Sequence, residues 1–223
     1  NYKINAYWPN SNHCHAHFLD LFENVANINF SSECLVVNSD LNLILRDENE
    51  NSNNSFSKDQ SLNFYKTMLK PKSFIVDDSL KLIKKYNLDK NTYGLYLRCP
   101  EGFNFKHFLN GETIPPDKIH NGKSQELINF LKFFENEQHL HDKRIMLISD
   151  SAILNDYLLS KYKNMFVIKE NKLPNHGRHH PERNKDSIIS ALKCCFLLKS
   201  CTRLKGTGIS AFSRLPEWLP EIN

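Results

Sequence analysis

The chain has 223 residues, of which 40% are hydrophobic and 24% charged, and its mean hydropathy is −0.52. That length can hold one large domain or two modest ones, and 11% aromatic residues argue against a wholly disordered chain. The net charge of +4, with acidic and basic residues interspersed, does not indicate a nucleic-acid-binding protein. The longest apolar runs, such as residues 196–198, are far shorter than the roughly 20 residues of a membrane span, so we expect no transmembrane segment.

The cysteines predict thiols rather than disulfides. No Cys-x-x-Cys pair occurs, and this usage favours a reducing compartment, which predicts a cytoplasmic protein. A strand-like run of residues begins directly after Asn1, so we also expect that upstream residues are missing. The six cysteines are Cys14, Cys34, Cys99, Cys194, Cys195 and Cys201.

Residues 1–72 form the less regular part of the chain. The predicted features are, in order, a strand (2–8), a short helix (15–23), an apolar stretch (34–45), a solvated Asn/Ser-rich loop (47–57) and a helix (60–69). The last helix ends before Pro71, because the residue that precedes a proline disfavours helical geometry.

From residue 73 onward strands and helices alternate. The pattern predicts a helix near 78–86, a strand at 93–98, a helix carrying Leu127, Phe130, Leu131 and Phe134, a strand at 144–149, a helix around 154–158, a strand at 165–168, a helix capped by Asp186, a strand near 203–206 and a helix from 211. This alternation predicts a parallel, doubly wound α/β domain, in which ligands bind outside the carboxyl ends of the strands.

Two segments that follow predicted strands are candidate anion sites. Arg98 ends a strand, where its planar guanidinium suits a phosphate, although a surface salt bridge is the simpler interpretation. Residues 206–213 are rich in glycine and hydroxyl side chains and lead from a strand into a helix, which favours a nest of backbone N–H groups. An ordinary strand-turn-helix connection explains the same residues.

Other polar residues have more than one interpretation. Asp186 either caps its helix or accepts hydrogen bonds from the N–H edge of a guanine, and residues 149–151 are typical of the cap of the next helix. The histidine clusters at 13–17 and 176–180 offer possible metal ligands, but 176–183 is more typical of a basic loop near a phosphate or of a solvated loop. The chain lacks GxSxG, P-loop and GxGxxG motifs, which weakens hydrolase, NTPase and dinucleotide interpretations.

Three segments together resemble the superfamily of GDP-fucose-dependent fucosyltransferases, which includes α-1,6-fucosyltransferases and protein O-fucosyltransferases. They are residues 96–101 (Tyr-Leu-Arg-Cys-Pro-Glu), Asp186 at a helix start, and residues 210–213 (Ser-Ala-Phe-Ser), in the order and spacing of the family motifs. Residues 7–22 and 69–71 are also similar to small bacterial members. The resemblance implies the GT-B arrangement of two facing Rossmann-like domains. Here these would be a smaller, incomplete acceptor-side α/β part (1–72), lacking the family's N-terminal motif, and a nucleotide-sugar-binding domain (73–223).

The resemblance also implies roles for individual residues. Arg98 would hold the β-phosphate of GDP and stabilise the leaving group, Asp186 would read the guanine, and Glu101, or alternatively Glu112, would act as general base. The implied nucleotide contacts are Tyr96, Arg98, Asp186, Ser210, Phe212 and Ser213.

The chain departs from the family pattern at three of these positions. Tyr96 replaces a histidine, Cys99 replaces a second arginine, and Glu101 stands where an aspartate is usual.

The function implied by the resemblance is transfer of L-fucose, or a related sugar, from a GDP-sugar to a glycan or other hydroxyl acceptor. The resemblance implies inversion at the sugar carbon, no metal ion and no cofactor besides the donor. The departures support an alternative, a catalytically impaired nucleotide-binding or interaction protein. The histidine clusters support another, an unrelated metal-assisted α/β enzyme.

Overall fold

The computed structural model describes residues 4–7, 18–23, 28–31, 66, 69–99, 108, 110–111, 123–171, 184–204 and 211–222. The elements in chain order are β1 (Ile4–Tyr7), α1 (Phe18–Leu21), β2 (Ile28–Ser31), α2 (Ser73–Lys85), β3 (Tyr93–Leu97), α3 (Lys123–Asn136), β4 (Ile145–Ser149), α4 (Ala152–Lys161), β5 (Met165–Phe166), α5 (Lys185–Ser200), β6 (Thr202–Leu204) and α6 (Ala211–Trp218). Short 3₁₀ turns cover Gln138–Leu140 and Lys169–Asn171.

The larger sheet of the described residues is parallel, with the strand order β5-β4-β3-β6. Tyr93 of β3 lies opposite Ile145 of β4 on one side and opposite Thr202 of β6 on the other. The chain therefore builds the sheet outward from β3 to β5 and then returns to add β6 beside β3. The predicted parallel α/β architecture is confirmed, and its topological switch point lies between β3 and β6.

Helices cover both faces of this sheet. On one face Leu95 and Leu97 pack with the α3 residues Leu127 and Phe134, which confirms the predicted apolar stripe of α3. On the other face Tyr96, Met146 and Ile148 pack with residues of α5. All five β4 residues are buried, because helices cover both faces of this inner strand, and four of the five are apolar.

Helix α5 is apolar on most of its circumference because it packs against two layers. Cys194, Leu197 and Leu198 face the sheet, while its other apolar side chains form a separate cluster with α1, α2 and the chain end. Gly94 permits the close approach of α5 to β3. A Cβ atom at this glycine would lie 3.0 Å from Leu198 Cδ2 and 3.2 Å from Cys201 Cβ.

The described residues of the N-terminal part form a second, two-stranded parallel sheet and a segment that packs on α5. Strands β1 and β2 pair with Ile4 opposite Ile28. Leu21 and Phe22 are buried in the cluster that contains α5, and Lys185 Nζ lies 2.6 Å from Asp20 Oδ1. The division of the chain at residue 72 stays a prediction.

Several element boundaries differ from the predicted ones. Helix α2 begins at Ser73 rather than near 78, β5 ends at Phe166 rather than at 168, and α1 ends at Leu21 rather than at 23. The predicted features at 34–45 and 47–57, and most of the helix at 60–69, lie outside the described residues. Within the described part of the chain, no helix combines the length and apolar character that crossing a membrane requires.

Candidate functional site

Arg98 follows β3 directly and lies at the carboxyl edge of the sheet, next to the switch point. Leu95 of β3 pairs with Leu204, the last residue of β6, so the carboxyl ends of these two strands are neighbours. The Arg98 side chain is partly exposed at this edge. The predicted position of Arg98, outside the carboxyl end of a parallel strand, is thus where such folds place ligands.

The first turn of α6 is directed toward the same edge. At the opposite end of this helix, Glu217 forms an ion pair with Arg203 (2.7 Å) and Lys199 Nζ donates to the Leu219 carbonyl (2.5 Å). These contacts place the end of α6 beside the start of β6, so the first residues of α6 lie at the carboxyl side. Phe212 and Ser213 belong to that first turn, whereas Ser210 lies outside the described residues.

Tyr96 and Cys99 are held on either side of Arg98 in different environments. The Tyr96 side chain is only 9% exposed and packs in the cluster of Met146 and Ile148 between the sheet and α5. Burial raises the pKa of the Cys99 thiol to about 11, and the negative charge of Asp150 adds to this increase. A hydrogen bond with Ser151 lowers the pKa and offsets part of it. The thiol is therefore neutral at pH 7, where the family motif has a positive charge.

The carboxyl ends of β3 and β4 are joined by Asp150. Its Oδ1 accepts a hydrogen bond from the Cys99 backbone N–H at 2.9 Å. Ser151 caps α4, since its Oγ accepts from the Leu154 N–H at 3.3 Å, which confirms the predicted cap. The contact between Asp150 and the β3 end was not predicted, because sequence spacing does not indicate which neighbouring strand a loop carboxylate will reach.

The prediction that Asp186 caps α5 is wrong. Asn184 is the N-cap, and its Oδ1 accepts from the Ser187 N–H at 2.9 Å. Asp186 is the second residue of α5. It is exposed in the first turn, where a negative charge interacts favourably with the helix dipole. Its carboxylate is not used by the cap. Because α5 ends directly before β6 begins, this first turn lies at the carboxyl side of the sheet.

The remaining candidates fall outside the described residues. These are Glu101, Glu112 and both histidine clusters. Among the described residues, no group of three or more His, Cys, Asp or Glu side chains could hold a metal ion, and Cys99, Cys194, Cys195 and Cys201 are free thiols.

A cleft that the sequence did not predict lies between α4 and α5, and we call it the α4–α5 cleft. Its volume is about 160 Å³. It opens where β5 stops, since β5 pairs only with Ile145 and Met146 and leaves the last three residues of β4 beyond its end. Its polar lining residues are Ser149, Asn155, Asp156 and Asn171.

Comparison with solved structures relates this fold to one class of enzyme, the fucosyltransferases. The chain is similar to NodZ fucosyltransferase from Bradyrhizobium, with a TM-score of 0.57 and 15% identity over 97% of this chain and 81% of the NodZ chain. NodZ α-1,6-fucosyltransferase co-crystallised with GDP (TM-score 0.55, 14% identity, 97% and 81% covered) and soaked with GDP-fucose (0.55, 16%, 97% and 82%) are similar in the same way. No protein-family model and no curated protein matches the sequence. The predicted resemblance is thus confirmed at the level of the fold.

Proposed function

We propose that this chain is a glycosyltransferase that moves L-fucose, or a related sugar, from a GDP-sugar to a glycan or other hydroxyl acceptor. The main support is the fold shared with NodZ structures, two of which were obtained with GDP or GDP-fucose. The position of Arg98 adds to it, because a guanidinium at the switch point of a doubly wound sheet suits a diphosphate. The proposal includes the GT-B arrangement, with the acceptor on the side of residues 1–72.

Breaking the bond between sugar and phosphate leaves negative charge on GDP, and in this proposal the chain's own groups stabilise it. Arg98 holds the β-phosphate through two parallel hydrogen bonds, and the first turn of α6, with Ser210, Phe212 and Ser213, donates backbone and hydroxyl hydrogen bonds. These donors neutralise the leaving group without a metal ion. The resemblance gives Tyr96 a nucleotide contact as well, but its side chain is only 9% exposed and packs between the sheet and α5, so in this proposal it supports the strand end beneath the nucleotide.

The other two roles follow the resemblance. Asp186, exposed at the start of α5, accepts hydrogen bonds from the N–H edge of the guanine of the donor. Glu101, or alternatively Glu112, removes the proton of the acceptor hydroxyl as it attacks the face of the sugar opposite to GDP, which inverts the configuration.

The test is calorimetric titration of the purified chain with GDP, ADP, UDP and GMP, followed by incubation with GDP-fucose. We expect GDP to bind more tightly than the other three nucleotides, and GDP to be released from GDP-fucose at a rate that EDTA does not change. Equal binding of all the diphosphates, or of none, would contradict a GDP-sugar site.

The alternative function, nucleotide binding without turnover, is favoured by one observation. The position of the family's second arginine carries a neutral thiol, because burial raises the pKa of Cys99 to about 11. One cation fewer beside the leaving group weakens its stabilisation. Selective GDP binding with no release of GDP from GDP-fucose, and no transfer, would identify this alternative.

A further inference from the structure

The first residue of α5 is a lysine, at the end of the helix where a positive charge is unfavourable. Lys185 Nζ lies 2.6 Å from Asp20 Oδ1, and the two side chains are 52% and 24% exposed. Asp20 belongs to residues 18–23, which contain α1 and which we call the α1 segment. The ion pair therefore joins the first turn of α5 to a part of the chain 165 residues earlier.

Apolar burial fixes the α1 segment against the same helix. Leu21 and Phe22 are each 3% exposed. They pack in one cluster with Ile189 and Leu192 of α5. Lys185, Ile189 and Leu192 follow one another at spacings of four and three residues, which places them on one face of the helix. The ion pair lies at the end of this face, so buried neighbours hold its carboxylate in position.

Backbone hydrogen bonds join the α1 segment to the residues that lead into α2. The Glu23 N–H donates to the Lys70 carbonyl at 2.7 Å, and the Lys72 N–H donates to the Leu21 carbonyl at 2.9 Å. These two bonds form a short antiparallel contact. The α1 segment is therefore held on two sides, by α5 and by residues 70–72.

The face of α5 next to the ion pair carries the residue that the proposed function assigns to guanine. Asp186 follows Lys185 by one position, a rotation of about 100° around the helix axis. The Asn184 side chain caps this turn by accepting from the Ser187 N–H at 2.9 Å. The cap satisfies a backbone donor of the turn, and the ion pair offsets the positive charge that would destabilise it. Together they hold the backbone that carries Asp186.

We propose that Asp20 is a positioning residue for the nucleotide site. By pairing with Lys185, it holds the first turn of α5 in the orientation in which Asp186 meets the base. This inference rests on the proposed function, because it takes the role of Asp186 from there. Without the ion pair, an unpaired cation at the amino end of α5 destabilises the first turn. The α1 segment belongs to the predicted acceptor-side part, so the same contact links that part to the donor nucleotide.

The experiment reverses the charges of the ion pair one at a time and then together. The variants are Asp20→Lys, Lys185→Asp and the double variant that carries both substitutions. Binding of GDP and ADP is measured by calorimetry, and the readout is the ratio of the two affinities. GDP and ADP carry the same diphosphate charge, so a general change in the attraction of anions cancels in this ratio. The urea unfolding midpoint is measured without ligand.

Asp78→Lys is the matched control. Asp78 Oδ2 of α2 lies 2.8 Å from Lys193 Nζ of α5. Lys193 lies about 12 Å further along the helix axis than Lys185. The control therefore reverses one charge of another ion pair of the same helix, away from its first turn.

We expect each single reversal to lower the preference for GDP over ADP about fivefold, the upper effect of an ion pair of this kind. The double variant should restore the preference to within about twofold of the wild type, because opposite charges face each other again. Asp20→Asn, which only removes a charge, should give a smaller loss in the same direction. Asp78→Lys should lower the urea midpoint and keep the preference of the wild type.

The contrary results distinguish this inference from the proposed function. Single variants that keep the wild-type preference, with or without a lower urea midpoint, would overturn the inference and leave the proposed function standing. The same result in Asp20→Asn decides the question if a single reversal does not fold. A preference that is lost in the single variants and not restored in the double variant would show that the two residues do not act as a pair. A wild-type chain without preference for GDP over ADP would overturn the proposed function, and the role of Asp20 with it.

Discussion

Arg98 and Cys99 are neighbours at the end of β3, but one side chain is a cation and the other is neutral. A guanidinium keeps its charge at any physiological pH, whereas the buried Cys99 thiol, with a pKa of about 11, stays neutral. In the proposed site, phosphate affinity at this strand end therefore depends on Arg98. A planar fork can bond two phosphate oxygens at once, and an ammonium group cannot reproduce that geometry.

Replacing Arg98 by lysine tests this dependence. We expect Arg98→Lys to weaken GDP binding about tenfold, equivalent to ~1.4 kcal/mol, with the urea unfolding midpoint unchanged. Calorimetry and urea denaturation of the same preparation measure the two effects. Unchanged GDP affinity would show that Arg98 is a surface residue outside the site.

Arg144→Lys is the matched control, because Arg144 has a structural role. Its guanidinium donates to the Asn87 carbonyl at 2.9 Å and lies 4.5 Å from the ring centroid of Phe166. We expect this variant to lose stability and to keep the GDP affinity of the wild type. Weaker GDP binding at unchanged stability in Arg98→Lys, together with lower stability at unchanged GDP affinity in Arg144→Lys, would separate phosphate binding from folding.

Sequence could predict Arg98 but not the α4–α5 cleft. Arg98 directly follows a clear apolar strand, and the rule for parallel sheets then gives its location. The cleft is lined by residues of β4, α4, α5 and the segment after β5, which are distant in sequence, and no local spacing indicates that they meet.

At the scale of elements, the strands and helices after residue 73 were predictable where burial requires a regular pattern of apolar residues in the sequence. Strand β4 was found because both of its faces are covered, and α3 because its apolar stripe faces the sheet. The start of α5 was predicted wrongly because Asn184 and Asp186 are both good caps, two residues apart. Asn184 is chosen because its backbone is extended, with ψ of 175°, and its side chain reaches the Ser187 N–H.

Two substitutions at the start of α5 separate capping from ligand contact. We expect Asn184→Ala to lower the free energy of unfolding by about 1 kcal/mol, the usual cost of losing an N-cap, with GDP affinity nearly unchanged. Asp186→Asn should lower the free energy of unfolding by only about 0.3 kcal/mol, because its carboxylate is exposed and only interacts with the helix dipole. It should weaken GDP binding, because the proposed acceptor for the guanine loses its charge. Urea denaturation and calorimetry measure the pair.

Other effects of the two substitutions on stability and GDP affinity would contradict these assignments. If Asp186→Asn were the destabilising variant and Asn184→Ala the neutral one, the cap would lie at Asp186 in solution. GDP affinity unaffected by Asp186→Asn would remove this carboxylate from the proposed site.

At the scale of the whole molecule, the order of strands determines which residues meet. The return of the chain from β5 to β6 brings the end of β3 beside the end of β6, so Arg98 and the first turn of α6 share one edge. The alternation in the sequence predicted a parallel sheet but did not specify that β5 would stop after two residues. That early stop opens the α4–α5 cleft, and it depends on how the segment after Phe166 turns away from β4.

Buried thiols make the free energy of unfolding of the whole chain decrease at alkaline pH. Burial raises the pKa of Cys194 to about 12, that of Cys99 to about 11, and those of Cys195 and Cys201 above their ordinary value of 9.0. Above pH 9 the unfolded chain releases these protons while the folded chain retains them. The unfolded state is therefore favoured as the pH rises, and the stability present below pH 9 is lost progressively toward pH 12.

We expect the free energy of unfolding to fall between pH 8 and pH 10.5, with about 2 kcal/mol arising from Cys194 alone. Urea denaturation in the presence of a reductant measures it, and the loss should reverse when the pH returns to 8. Cys194→Ala is less stable at pH 8, because it leaves a small cavity and removes a contact of the Asn171 amide, but its stability should decline less steeply with pH. A stability that is flat from pH 8 to pH 10.5 would mean that the thiols ionise equally in both states and are reached by water in the folded protein.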